Sequence, residues 1–169
     1  MIDIVDAWVE LTHGGLLLDR SGLESLPEVP LAGTGLADRL RTALTDLPED
    51  DAMDGQALAG LLGTVLEDAC GFSSGWQKGP QLGAAVAEKM LDGTVLKPRW
   101  LWTGPKGESL PVFTSAERRV GIHRGRRSAA HVVEYLRRRR WPLGLLTNGR
   151  EWRLTWADPD SLAWCEWRA

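Results

Sequence analysis

The sequence predicts an α/β protein, a mixed β-sheet flanked by helices with a helical N-terminal extension. Three observations lead there. Amphipathic helices fill the first half of the chain. Two strand pairs follow, one on each side of an arginine-rich helix. The switch from 3.6-residue to 2-residue periodicity after Asp92-Gly93 places helices and strands in one sheet-and-helix layer arrangement.

Taken in order, Ile4, Trp8 and Leu11 share a face and predict a helix within 2–11. The Gly- and Pro-rich stretch 12–35 reads as irregular. Leu36, Leu40, Ala43, Leu44 and Leu47 form one stripe, a helix over 36–47. "PEDDAMD" reads as an exposed acidic linker. The strongest helical pattern is 55–70, with Leu58, Leu61, Leu62, Val65, Leu66 and Ala69 in register, Asp54 as N-cap and Gly71 as stop. Glu67 lies opposite that stripe. Pro80 opens a further expected helix, 80–91, with Leu82, Ala85, Val86, Lys89 and Met90 aligned.

"TVLKPRWLWT", "GPKGE" and "SLPVFT" then read as two strands and a turn. A basic loop, 117–127, leads to a helix over 128–140, capped by Ser128 and closed by Arg137–Arg140 at the negative end of its dipole. "LGLLT-NG-REWRLTW" predicts a hairpin on a two-residue Asn-Gly turn, with Trp152, Leu154 and Trp156 alternating with Glu151, Arg153 and Thr155. "SLAWCEW" predicts a last strand whose apolar, unpunctuated ending suggests a chain cut within a longer protein, or a partner covering that edge. The expected division is an acidic, partly helical extension over 1–50 and an α/β domain over 51–169.

The net charge of −3 conceals an asymmetry. Residues 1–60 hold twelve acids and three arginines, whereas 118–140 hold nine arginines and one acid, Glu134. Opposed acidic and basic faces follow, and masking of the basic face by the acidic part is a hypothesis that the charge split motivates. The basic stretch uses only Arg, which binds phosphate bidentately where Lys is a point charge. Gly121 and Gly125 within it would let backbone amides approach an anion. Arg118, Arg119, Arg124, Arg126, Arg127, Arg137 and Arg138 are therefore candidates for DNA phosphate contact, with an acidic protein surface as the rival partner. Seven of the nine tryptophans follow residue 99, more than one core needs, which suggests an interface or stacking surface besides strand packing.

Other chemistries are not indicated. Two cysteines and three scattered histidines make neither a disulfide framework nor a zinc site. No apolar run approaches the ~18 residues of a membrane span, and the acidic start lacks the features of a secretion signal, so the expectation is a reduced, cytoplasmic protein without a membrane. "EDACGFSSG" superficially matches the glycine motif of adenine methyltransferases. Those enzymes place it after a buried strand, whereas a long amphipathic helix precedes it here.

"LGLLTNGREWRLTW" (143–156) resembles the "vLLTNGxxWRLY" hairpin near the end of the nuclease-like N-terminal domain of type I and type IIG restriction enzymes. It is also similar to that of the adenine methylases of phage-defence systems such as DISARM and BREX. "YLRRRRWPLGLLTNG" fits the same helix-to-strand passage, and the resemblance covers roughly 55–169. It implies a PD-(D/E)xK, restriction-endonuclease-like fold, in which an Asp on one strand and an acid-x-Lys on the next hold Mg²⁺, often aided by a helical Glu. This chain has Pro98-Arg99 at the first place and Thr114-Ser115-Ala116 at the second. Only Glu67 matches in kind. Glu108, in the turn, and Glu117, past the strand, are the other weak catalytic candidates.

The resemblance thus implies a nuclease-like domain or subunit of a restriction-modification or phage-defence DNA methyltransferase that has lost catalysis, with no catalytic residue, metal or cofactor of its own. Its implied partners are duplex DNA and the methyltransferase domain or subunit. Two alternatives stand beside it: an active Mg²⁺-dependent endonuclease with a migrated site, and a protein–protein scaffold without DNA contact.

Overall fold

The computed structural model describes residues 4–15, 18–26, 33–48 and 55–169. Its elements are α1 (Ile4–Val9), β1 (Thr12–Gly14), α2 (Arg20–Glu24), α3 (Thr34–Thr45), α4 (Gly55–Gly63), β2 (Trp76–Lys78), β3 (Glu88–Lys89), β4 (Val95–Leu96), β5 (Trp100–Thr103), β6 (Ser109–Thr114), α5 (Gly125–Arg139), β7 (Leu143–Thr147), β8 (Glu151–Ala157) and β9 (Leu162–Arg168). A π-helical stretch, Thr64–Ala69, prolongs α4. Together they form a mixed α/β structure around a seven-stranded sheet of order β1-β9-β8-β7-β6-β5-β2. β6 and β7 run parallel, joined through α5, and the other neighbours are antiparallel.

Period-2 alternation divides the central strands between two cores. Leu110, Val112, Leu145 and Trp152 meet Leu58, Leu61, Leu62 and Leu66 of the α4 side. Phe113, Leu146 and Ala157 meet Ala129, Val132, Tyr135 and Leu136 of α5 on the other face. Gly144 on β7 is required by that second contact, because a Cβ there would press on the Leu136 side chain at 2.9 Å.

Several elements depart from their sequence patterns. No helix occupies 80–91. Two short 3₁₀ turns, Gly79–Gln81 and Ala84–Val86, lead into β3, which pairs with β4. Gly79 and Gly83 interrupt the helical run, and Lys78 and Ala87 have extended backbone beside those turns. Leu82 and Met90 are buried all the same. The 12–35 region, expected to be irregular, contributes β1 and α2. β1 pairs with β9 from Thr12↔Glu166 to Gly14↔Trp164, so the chain itself covers the strand expected to lie open to a partner.

α5 begins at Gly125, not at Ser128. Arg124 takes the N-cap place, and Ser128 lies inside the helix with its Oγ 3.4 Å from Ser115 Oγ. The β7–β8 connection is longer than a two-residue Asn-Gly turn. Thr147 pairs with Trp152, and Asn148 Oδ1 accepts from the amides of Arg150 and Glu151 at 3.0 and 2.7 Å. The expected N-cap Asp54 and most of the acidic linker lie outside the described residues.

Among the described residues no helix is long and apolar enough to cross a membrane. Leu61 is fully buried, so Leu61→Ala should lower the unfolding free energy by about 2–5 kcal/mol in urea titration. Leu91 is 86 % exposed, and Leu91→Ala should change it by less than about 0.5 kcal/mol.

Candidate functional site

The basic loop between β6 and α5 is held by the β7–β8 hairpin. Asn148 Nδ2 donates to the carbonyls of Glu117 and Arg118, both at 3.0 Å. The amide of Val120 donates to Glu151 Oε2 at 2.8 Å, and Val120 itself is buried. Glu151 also accepts from Arg119 at 2.5 Å and from Arg168 at 2.9 Å.

The polar side of the hairpin's alternation is itself enclosed. Glu151, Arg153 and Thr155 are buried, while Trp156 is partly exposed. Opposite them on β9 stand Arg168, Glu166 and Trp164. Arg153 donates to Glu166 at 2.6 Å, and its guanidinium lies 4.0 Å from the centre of the Trp164 ring. This ladder of alternating charge is closed by the loop. Gly121, at φ +85°, passes so close that a Cβ would collide with Glu166 and Arg153. Gly125 is buried against the carbonyl of Arg119. Both glycines thus serve close internal packing, where the sequence suggested amides open to an anion.

The arginines divide into two groups. Arg119 pairs with Glu151, Arg127 with Asp92 at 2.6 Å, and Arg138 with Glu134 at 2.7 Å. Arg137 donates to the Asp158 carbonyl at 3.0 Å. Arg139 pairs with Glu88 at 2.9 Å and lies over Trp141. The acids that the arginine run lacks locally come from β3, the β3–β4 turn and β8. Arg118, Arg124 and Arg126, and Arg140 at the far end of α5, are exposed and meet no carboxylate among the described residues.

Asp92 is a counter-charge shared by Arg127 and His131 of α5. The Arg127 guanidinium, then the Thr94 amide at 2.9 Å, hold its carboxyl well below the usual carboxylate range, and His131 Nε2 lies 2.9 Å away.

The nuclease resemblance implies Mg²⁺, and the residues present do not fit it. A hard dication needs several charged oxygens. Arg99 and the Thr114-Ser115-Ala116 segment offer none at the expected strand positions. Glu67 is engaged by Lys78. Glu108 bonds the Lys106 amide within the β5–β6 turn, and Glu117 lies past the other end of β6, a six-residue strand about 20 Å long at about 3.3 Å per residue. The three acids are not brought together. Among the described residues, no three His, Cys, Asp or Glu side chains form a metal-binding group.

The tryptophans are mainly structural. Trp100 and Trp152 belong to the α4-side core, and Trp76, Trp102 and Phe72 pack edge to face around it. Sequence reading missed the Glu151–Arg153–Glu166–Arg168 ladder. Its only sequence signal is the opposite-charge alternation of "EWR" on both β8 and β9.

Comparison with protein-family models, with curated proteins and with solved structures finds no match for this chain.

Two outcomes follow. Arg153→Met or Glu166→Leu alone should each cost about 3 kcal/mol of stability, because each strands a largely buried charge, and the double variant should recover most of it. A double-mutant cycle in urea measures this. Separately, the depressed Asp92 contributes stability above its unfolded value, near 4, and loses it as pH falls below that value. Asp92→Asn should therefore flatten the acid limb of stability against pH between about pH 5 and 2.

Proposed function

We propose that this chain is a catalytically degenerate, restriction-endonuclease-like domain or subunit of a DNA restriction-modification or phage-defence methyltransferase system. In this reading it holds duplex DNA by the phosphate backbone. The observation that carries the reading is the set of exposed arginines, Arg118, Arg124 and Arg126, on and beside a loop fixed by Asn148 and Glu151 and left without carboxylate partners among the described residues. Each offers a full guanidinium fork to a phosphate at no cost in broken ion pairs. Arg119, Arg127, Arg137 and Arg138 have internal partners, and their part in DNA contact is secondary.

Two further features support the reading. The order of helix with Glu67, antiparallel pair β5–β6, crossover helix α5, parallel β7 and hairpin partner β8 agrees with what the hairpin resemblance implies. The places that would hold the catalytic acids carry Arg99 and Thr114. Binding without cleavage is the activity that remains to such a domain.

Docking of the methyltransferase is the second reading. One feature favours it: an open groove of about 500 Å³ in which exposed Leu91 stands beside Ala130 and Val133, with Arg137 and Arg138 at its margin. Apolar area bordered by arginine is typical of a protein-contact surface.

The test is duplex DNA affinity as a function of salt. Wild type should lose affinity linearly in log–log form, and R118A/R124A/R126A should reduce the slope by about one unit per lost contact. Arg127→Ala and Arg138→Ala should have much smaller effects. A flat wild-type slope would remove the DNA reading and leave docking.

A further inference from the structure

A second cationic feature lies outside the loop. Where β2 ends and β5 begins, an open groove of about 520 Å³ carries Lys78, Lys97 and Arg99, with Ala59, Pro80 and Pro98 along its apolar wall. That volume is within the range of small-ligand sites. The charges come from separate parts of the chain. Lys78 terminates β2, contacts Glu67 and sits 4.0 Å over the Trp100 ring. Lys97 and Arg99 flank buried Pro98 in the approach to β5.

The partners of these cations decide what the groove can take. Glu67 neutralises Lys78. Lys97 Nζ donates to the Leu82 carbonyl at 2.6 Å, and Arg99 Nη2 donates to the Gly55 carbonyl at 2.5 Å. Carbonyls orient a cation without cancelling its charge, and each side chain keeps further N–H donors. Among the described residues neither Lys97 nor Arg99 pairs with a carboxylate. Among the described residues the groove thus holds two positive charges that carbonyls fix and no carboxylate pairs, beside an apolar wall.

We propose that this groove binds a phosphomonoester of nucleotide size. Its phosphate is held between Lys97 and Arg99, and its sugar or base lies along Pro80 and Pro98. The phosphate can belong to a free mononucleotide or to the 5′ end of a DNA strand. None of the groove residues belongs to the 117–127 loop, so the proposal stands or falls separately from backbone binding by Arg118, Arg124 and Arg126.

Calorimetric titration of the full chain with thymidine 5′-monophosphate, and with thymidine as control, tests it. The nucleotide should bind saturably and thymidine should not. K97A/R99A should weaken nucleotide binding by at least about tenfold, while R118A/R124A/R126A leaves it unchanged. Arg99 also tethers the start of α4, so Lys97→Glu provides a second variant, one whose native side chain hydrogen-bonds only the Leu82 carbonyl among the described residues. Displacement of the nucleotide by a 5′-phosphorylated duplex but not by its 5′-hydroxyl counterpart would assign the groove to DNA ends. Equal failure of both duplexes would assign it to free nucleotides. No saturable binding at millimolar nucleotide, or binding indifferent to Lys97→Glu, would overturn the proposal.

Discussion

The carboxylate of Glu151 is the anchor on which the basic face depends. It is 8 % exposed and gathers the Val120 amide, Arg119 and Arg168 around one group. Without it the Val120 amide and Arg119 would lose their partner, and the loop after β6 would keep only its Asn148 bonds to the hairpin. A buried carboxylate is tolerated there because each oxygen has a charged or amide donor. Asn148 completes the arrangement from the turn of the same hairpin. The hairpin that carries the resemblance to restriction enzymes is thus also the part that positions the arginine loop.

That anchoring sorts the arginines by what they can do. An arginine already paired with an acid offers a phosphate a partly neutralised charge and fewer open N–H donors. Arg119, Arg127 and Arg138 are in this position, whereas Arg118, Arg124 and Arg126 are not. The distinction is invisible in sequence, where nine arginines stand against one local acid over 118–140. The neutralising carboxylates arrive from Glu88, Asp92 and Glu151, which neighbour the arginines only once β3, β4 and β8 are in place.

Local pattern was enough for the architecture where one element decided its own conformation. Leu58, Leu61, Leu62 and Leu66 announce α4, and the apolar runs of β6 and β7 announce strands buried on both faces. It failed where a distant contact decided. Leu82, Val86 and Met90 keep helical spacing, yet Met90 pairs back to Thr94, and the Val86 carbonyl accepts from Tyr135 Oη at 2.6 Å. Glu151 and Arg153 alternate like an exposed face, yet the loop and β9 cover them. The absence of acids at positions 99 and 114–116 was legible directly. The groove beside Arg99 was not, because Lys78 reaches it only through β2–β5 pairing.

The central claim is that a hairpin-anchored loop presents selected arginines to DNA. Side-chain Nε–Hε resonances of ¹⁵N-arginine-labelled protein, followed during titration with duplex DNA, test it most directly. The account predicts that the signals of Arg118, Arg124 and Arg126 shift progressively while those of Arg119 and Arg153 stay in place. Shifts confined to the paired arginines, or none at saturating DNA, would contradict it.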